Sequence, residues 1–205
     1  HITDRFRNNL KTINSCFIRH WFDLEVLDTE IAELEDRINN HETKEPVDFS
    51  KRTLIRIFSN GSFKEGGRFY RGWWQNVPRE YRKYITIDKK KTGEGDFSQL
   101  NPHMLYFANH KRLGSEDAYE RVLDGEHRDI VKQAFNAMIN ASCLLKNCPN
   151  DINLSELDMG WAELRDRIIE AHKSISHEFF KGVGNKLQFE DSCIFEHIML
   201  HFADM

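Results

Sequence analysis

The chain of 205 residues lacks the features that mark membrane, secreted and disulfide-stabilised proteins. It has no run of eighteen apolar residues, so no membrane-spanning helix is predicted and no membrane partner is expected. Its first residues, HITDRFRNNLK, have neither the apolar centre nor the small-residue cleavage site of a secretory signal, which predicts a cytoplasmic protein. Its four cysteines form no C-x-x-C pair, which favours reduced thiols over a disulfide framework or a structural zinc site.

A net excess of positive charge is also missing, because the formal net charge is -4. This value argues against a protein that coats nucleic acid through bulk charge. Between residues 51 and 82, however, basic residues outnumber acidic ones, and such a cluster is either a phosphate-neutralising patch or an ordinary solvated surface. The basic cluster consists of Lys51, Arg52, Arg56, Lys64, Arg68, Arg71, Arg79 and Arg82.

Hydrophobic periodicity predicts a mainly helical chain. With 40% hydrophobic residues, the chain can bury the core of one domain or of two small ones. Apolar residues at three- and four-residue steps predict a long helix or a helical pair over residues 4–40, followed by a linker at residues 40–48 that contains Pro46. Further helices are predicted at residues 101–108, 115–123, 125–145, 154–174, 175–181 and 187–202.

A β-hairpin is predicted just before Asp96. Residues 84–87 have strand composition, and the polar residues 89–93 are predicted to turn the chain into a second strand that enters Asp96. Pro102 suits the first turn of a helix, so a helix is expected just past this strand. The pattern therefore places Asp96 at a strand end, with Glu94 on the same strand face.

Three motifs in this part of the chain suit nucleic-acid chemistry. The first is GGRFYRGWWQNVP, residues 66–78, in which Arg68 can bridge phosphates while the amides of Gln75 and Asn76 can hydrogen-bond minor-groove acceptors. Trp73 and Trp74 can equally be core residues, with the amides capping a turn.

The second motif is DFSQL, residues 96–100. A carboxylate at such a strand end can bind magnesium ions, because hard cations prefer oxygen ligands. Asp96 is the candidate carboxylate, although a lone Asp-x-Ser pattern is weak evidence by itself.

The third motif is HRDIVKQAFNAMIN, residues 127–140. Arg128, Lys132, Asn136 and Asn140 recur every four residues, so on a helix they drift by about 40° per step and form one polar stripe roughly 18 Å long. The first two lie one turn apart and can hold a triphosphate between them, unless the stripe is an ordinary exposed helix face. A further stretch at residues 182–199 contains Gln188 and Asp191, the latter an equally suitable helix cap.

Together these motifs resemble those of the family A nucleic-acid polymerases, and the last stretch is also similar to single-subunit phage-type RNA polymerases. The resemblance covers roughly residues 52–205. It implies an α+β fold with a polymerase-type palm built on a small antiparallel sheet, a helical fingers subdomain and an N-terminal helical arm. The arm, residues 1–48, would stand in for a reduced thumb, with the palm at 49–108 and 182–205 and the fingers at 109–181.

The resemblance implies a template-directed nucleotidyltransferase, in which a primer 3′-hydroxyl attacks an incoming nucleoside triphosphate with the help of Mg²⁺. The carboxylate of Asp96 and the backbone carbonyl of Phe97 would bind the metal. The implied nucleotide-binding residues are Arg128, Lys132, Asn136, Asn140 and Gln99, and the implied template–primer contacts are Arg68, Gln75, Asn76 and Gln188. The chain departs from the family pattern at Asn101 and His103, where a glutamate and an arginine are usual, and at Asn136 and Asn140, where aromatic residues are usual.

The second carboxylate of the two-ion site is not found in the sequence. In the family it belongs to a His-Asp pair on the next hairpin, and this chain has no His-Asp dipeptide. Two hypotheses follow: a polymerase whose last hairpin lies beyond Met205, or a non-catalytic module of a phage or mobile element that binds nucleic acid or a protein. A sheet without that hairpin would offer an open edge to a protein partner. A helical scaffold without nucleic-acid binding is a third possibility, favoured only by the acidic pI.

Overall fold

The computed structural model describes residues 2–39 and 47–204 and shows an α+β protein. The α-helices of this described part are α1 (Ile2–Arg19), α2 (Asp28–Asn39), α3 (Leu100–Ala108), α4 (Arg128–Asn140), α5 (Trp161–Ala171) and α6 (Gly184–Ala203). Its strands are β1 (Phe22–Leu24), β2 (Ile55–Phe58), β3 (Gly66–Tyr70), β4 (Ile85–Ile87) and β5 (Lys90–Lys91). Most of the predicted linker, including Pro46, lies outside the described residues.

The chain divides into two compact units. The first unit comprises His1–Phe63, Gly67–Asp96 and Ser192–Met205, and the second comprises Lys64–Gly66 and Phe97–Asp191. All four cysteines are free thiols, as predicted. None of the described helices combines the length and the apolar character that crossing a membrane requires.

The first unit contains a three-stranded antiparallel sheet in the order β1-β4-β5. Phe22 pairs with Ile87 and Leu24 with Ile85, so the predicted helical pair at residues 4–40 is interrupted by a strand. The apolar spacing of this stretch suits a helix, but the backbone of β1 hydrogen-bonds to β4, a chain-distant partner that local periodicity does not reveal. The first strand of the predicted hairpin is confirmed as β4, but its partner β5 lies within the stretch predicted to be the turn, residues 89–93, and not beyond it.

The core of the first unit lies beside this sheet. Leu24, Leu34, Trp73 and Val77 form a buried cluster, and the ring of Trp74 stacks on Phe22 with 4.8 Å between ring centroids. The alternative in which the two neighbouring tryptophans pack into the core is therefore confirmed.

The sheet formed by β2 and β3 contains a buried arginine. The Arg56 side chain is 3% exposed, and its Nη1 lies 2.7 Å from Glu196 Oε1 on α6. Its Nε donates to the carbonyl of Gly67 and its Nη2 donates to Ser192 Oγ. The guanidinium carbon also lies 4.3 Å from the ring centroid of Phe6. This member of the basic cluster thus has a structural role, because a buried guanidinium needs all of these partners.

The second unit is built on α4 and α5. Helix α4 buries Val131, Ala134, Phe135, Met138 and Ile139 on one side, and α5 buries Trp161, Leu164 and Ile168. The predicted helix at residues 125–145 ends early, at Asn140, because Ala141 is extended and the Leu145 carbonyl accepts a hydrogen bond from the Trp161 indole.

Two other helix predictions for this unit need correction. Of residues 115–123, only Glu120–Val122 form a short 3₁₀ helix, because the carboxylate of Asp117 accepts the backbone N–H groups of Tyr119 and Glu120. The helix predicted at 154–174 begins only at Trp161, after Gly160, and Lys173–Glu178 form a 3₁₀ helix. The predictions for α3 and α6 are confirmed to within a few residues.

Candidate functional site

Asp96 does not lie at a strand end, contrary to the sequence-based prediction. Strand β5 ends at Lys91, and the chain from there to Asp96 is irregular and mostly exposed. Gly93 and Gly95 explain the early end, since glycine weakens a strand and a Cβ added at either position would have no neighbouring atom within 4 Å. The Glu94 side chain is bound to Arg82, at 2.8 Å, and is not aligned with Asp96 on a strand face.

Gln99, the glutamine of the DFSQL motif, is held in place by a distant backbone group. Its φ of 56° lies in the left-handed region, at the residue that precedes α3. The side-chain Oε1 accepts a hydrogen bond of 2.5 Å from the N–H of Ala118. Gln99 is therefore anchored to the segment Asp117, Ala118 and Tyr119, which we call the DAY segment.

The same segment holds Arg128, the first residue of α4. Its Nε and Nη2 donate to Asp117 Oδ2 at 3.1 and 2.8 Å, and its guanidinium carbon lies 5.2 Å from the centroid of the Tyr119 ring. The Arg128 side chain is 31% exposed, so a ligand can still reach it. Gln99 and Arg128, 29 positions apart, thus meet on three consecutive residues.

These contacts shift the proton affinities of the charged groups. Burial opposes ionisation of Asp117, but the hydrogen bonds from Arg128 and from the two backbone N–H groups prevail and lower its pKa. The pKa of Arg128 is raised, chiefly by its hydrogen bond to Asp117. Burial raises the pKa of Tyr119 to about 12, so its hydroxyl stays protonated at neutral pH.

A buried histidine hydrogen-bonds to the backbone of the DAY segment. His172 is fully buried, with Nε2 2.9 Å from the carbonyl of Ala118 and Nδ1 3.0 Å from the Tyr106 hydroxyl. A carbonyl only accepts, so Nε2 carries the proton and Nδ1 accepts from the tyrosine. Burial lowers the pKa of His172 to about 4, and the charge of Arg121 acts in the same direction. The imidazole is therefore neutral at physiological pH.

The remaining residues of the polar stripe follow along α4. Lys132 is exposed, whereas Asn136 Oδ1 accepts a hydrogen bond of 2.9 Å from Asn101 Nδ2 at the start of α3. Asn140 donates to the carbonyl of Asn136, and a Cβ at Gly184 would overlap its side chain at 1.7 Å. The stripe is confirmed as one face of a helix, but its two asparagines have packing partners.

The residues implied as template–primer contacts lie in both units. Arg68 is exposed on β3, and Asn76 is half-buried just after the 3₁₀ helix Trp73–Gln75. Gln75 hydrogen-bonds through Oε1 to the N–H of Gly72 and through Nε2 to the carbonyl of Phe69. Its amide thus caps the turn, as the structural alternative expected. Gln188 is half-buried on α6, in its portion within the second unit.

Gln75 also lines a cavity of about 540 Å³ in the first unit. Phe17, Phe22, Trp74 and Ile85 give the cavity an apolar wall, and Arg82 and Glu94 lie at its polar side. A partly exposed amide next to an aromatic wall is compatible with contact to a base.

The described residues do not fit a two-ion magnesium site. They contain no group of three His, Cys, Asp or Glu side chains that could hold a metal ion. Asp96 is exposed and Phe97 follows it in irregular chain, so these two provide a single carboxylate and a backbone carbonyl. A symmetric clamp on two oxygens needs a second carboxylate.

Sequence reasoning missed Asp117, Tyr119 and His172. The only signal for the contact between Asp117 and Arg128 was the presence of an acidic residue 11 positions before the arginine. No local sequence pattern links His172 to Ala118. No family model, no curated protein and no solved structure matches this chain. The likeness to family A polymerases therefore rests on the motifs alone.

Proposed function

We propose that this chain is the nucleotide- and nucleic-acid-binding part of a template-directed nucleotidyltransferase of the family A kind. One observation carries the proposal: Gln99 of the DFSQL motif and Arg128 of the fingers-type helix are held by the same DAY segment. One residue from each of two motifs that a family A polymerase uses around one nucleotide thus contacts the same segment of the second unit.

The cations of α4 supply the electrostatic part of the proposed reaction. Arg128 and Lys132 lie one helical turn apart, about 6 Å along the helix surface, which suits neighbouring phosphates of a triphosphate. Asp117 accepts hydrogen bonds from Nε and Nη2 of Arg128, so the guanidinium is oriented before the nucleotide binds. Such pre-organised cations stabilise the negative charge that moves onto the leaving pyrophosphate.

The reaction in this proposal is attack of the primer 3′-hydroxyl on the α-phosphate of the nucleotide, with loss of pyrophosphate. Asp96 would serve as a single carboxylate ligand for Mg²⁺. In the first unit, exposed Arg68 would bind a phosphate of the template–primer duplex.

Nucleotide binding tests the proposal most directly. A fluorescent nucleoside triphosphate is titrated with the wild-type chain, with Lys132→Ala and with Lys181→Ala, which removes another exposed lysine of the second unit. We expect the dissociation constant to rise about fivefold to tenfold for Lys132→Ala, as for the loss of one charge-assisted phosphate contact. It should stay unchanged for Lys181→Ala, and equal effects of the two substitutions would refute the proposed site.

Primer extension separates catalysis from binding. The product of the complete reading frame is incubated with a labelled primer–template and nucleotides, beside its Asp96→Asn variant. Extension that Asp96→Asn abolishes supports the nucleotidyltransferase. Salt-sensitive duplex binding without extension, weakened by Arg68→Ala and unaffected by Asp96→Asn, supports the non-catalytic module instead, a reading that the irregular, exposed setting of Asp96 favours.

A further inference from the structure

Trp21 is an exposed tryptophan with a fixed position. Its side chain is 58% exposed, whereas Trp73 is 1% and Trp161 6% exposed. Its N–H donates to Asp88 Oδ1 at 2.7 Å, and its carbonyl accepts from the N–H of Asp88 at 2.8 Å. The indole N–H points to Asp23 Oδ2 at 3.4 Å. A large aromatic surface is thus presented to solvent without the conformational freedom that would make its binding costly.

A cation already interacts with this indole ring. The guanidinium carbon of Arg52 lies 4.9 Å from the ring centroid of Trp21, and Arg52 Nη2 donates to the backbone carbonyl of His20. The arginine is therefore held beside the indole by the backbone as well as by the ring. A cation–π pair of this kind adds positive charge next to an aromatic stacking surface.

Three consecutive lysines begin in the turn whose first residue, Asp88, hydrogen-bonds to the backbone of Trp21. Asp88 and Lys89 form the two-residue turn of the hairpin, both with positive φ, and Lys90 and Lys91 form β5. All three lysines are exposed. Lys91 pairs with Thr86, which pairs with Asp23, so Lys91 lies in the same row of the sheet as the residue that holds the indole.

The carboxylates near these cations are engaged. Asp88 accepts hydrogen bonds from the Trp21 N–H and from His20 Nδ1, contacts that lower its pKa and keep it ionised. Asp23 accepts from the Trp21 indole and from the N–H of Leu24. Both acids orient the aromatic residue, and the four cations Arg52, Lys89, Lys90 and Lys91 outnumber them.

We propose that Trp21, Arg52 and Lys89–Lys91 form a stacking platform for single-stranded nucleic acid. An unpaired base would stack on the indole of Trp21, and the lysines would neutralise the phosphates on either side of it. An exposed aromatic surface among several cations is the combination by which proteins bind single strands without sequence preference. A duplex would not suit this surface equally well, because its bases are already stacked.

The inference rests on the proposed function in one respect, that the ligand is nucleic acid. Its residues are not among those of the proposed nucleotide-binding face of α4, and they do not include Arg68. It therefore adds a binding site for a strand that is not paired, such as an unpaired segment of the template.

Fluorescence anisotropy with labelled oligo-dT and oligo-rU of 20 nucleotides tests the platform. We expect Trp21→Leu to weaken binding by about tenfold, as for the loss of one stacked base. Its matched control is Phe107→Leu, which replaces an exposed aromatic of the second unit. Changing Lys89, Lys90 and Lys91 together to glutamine should reduce the slope of log K against log salt by about 2, at roughly 0.7 per phosphate contact. The control Lys146→Gln should leave the slope nearly unchanged.

The outcomes distinguish this site from the proposed function. If single strands bind, but Trp21→Leu weakens their binding no more than Phe107→Leu does, the platform is wrong. This conclusion holds whatever effect Lys132→Ala has on nucleotide binding. If Trp21→Leu weakens single-strand binding and Lys132→Ala leaves nucleotide binding intact, the platform stands and the nucleotide site fails. Absence of single-strand binding, or equal binding to anionic lipid vesicles that also depends on Trp21, overturns the platform as well.

Discussion

The backbone of Ala118 connects residues that lie far apart in the sequence. Its N–H binds Gln99, and its carbonyl accepts from His172. The neighbouring Asp117 and Tyr119 hold Arg128. A change at His172 should therefore disturb the positions of Gln99 and Arg128 even though this histidine is buried.

His172 should also make the stability of the protein depend on pH. Its pKa is about 4 in the folded chain, against a usual value of about 6.5 in an unfolded one. Between these values the unfolded chain binds a proton that the folded chain does not. The free energy of unfolding should therefore be fully developed above about pH 6.5 and fall by up to about 3 kcal/mol as the pH is lowered to about 4.

Urea unfolding from pH 4 to pH 7 measures this effect. Carboxylates also titrate in this range, so the useful quantity is the difference between the wild type and His172→Gln. The variant should show a flatter profile, whereas the control His201→Gln, at an exposed position of α6, should follow the wild type. Parallel profiles for His172→Gln and the wild type would contradict the assignment.

At the scale of elements, the β2–β3 sheet depends on a close approach to α6. Gly67 has a φ of 78°, and a Cβ added there would lie 2.9 Å from Ser192 Oγ and 3.1 Å from Phe58 Cε1. The same glycine offers its carbonyl to Arg56, whose guanidinium also binds Glu196. A side chain at this position would force the Ser192 hydroxyl and the Phe58 ring to move, and Ser192 Oγ accepts a hydrogen bond from Arg56.

Gly67→Ala should therefore destabilise the protein more than its backbone angle alone explains. The matched control is Gly61→Ala, because Gly61 has a similar φ of 64° and no atom within 4 Å of an added Cβ. We expect a loss of about 1 kcal/mol for Gly61→Ala from the left-handed conformation. For Gly67→Ala we expect roughly 2–4 kcal/mol, since overpacking adds to it. Chemical denaturation gives both values, and equal losses would rule out the close approach.

The elements show what local sequence patterns can and cannot predict. Helix α4 was predicted well because its buried and polar residues alternate with helical spacing over its whole length. Strand β1 was missed because Phe22, Asp23 and Leu24 become a strand only by pairing with residues more than sixty positions away. The prediction that Asp96 lies at a strand end was wrong because β5 is only two residues long and glycines follow it.

At the scale of the whole molecule, the candidate site could be predicted only in part. The side chains of the α4 stripe share one helix, so their common face follows from their spacing alone. The partners that restrain them do not, since Asp117, Asn101 and His172 reach the site through tertiary contacts. The basic cluster could likewise be recognised in the sequence, but the burial of its individual members could not be predicted. Arg56 is buried, whereas Arg68 is exposed.

The two units differ in how much apolar surface surrounds their secondary structure. In the second unit, the core around α4 includes Val131, Ala134, Phe135 and Met138, all of which are fully buried. In the first unit, β5 is an edge strand whose two residues are both exposed. Local opening of β5 therefore exposes little apolar surface, whereas opening α4 exposes much of a core.

Hydrogen exchange should reveal this difference. We expect the amides of α4 to exchange at least about a hundredfold more slowly than that of Lys90, after correction for intrinsic rates, because α4 opens only with its unit. Mass spectrometry or NMR of the wild-type chain measures both. Leu164→Ala creates a cavity in the core beside α4. This substitution should accelerate amide exchange in α4 and leave the exchange rates of the hairpin unchanged. Similar protection of the two elements would mean that the hairpin is stabilised by contacts beyond the short ladder of β4 and β5.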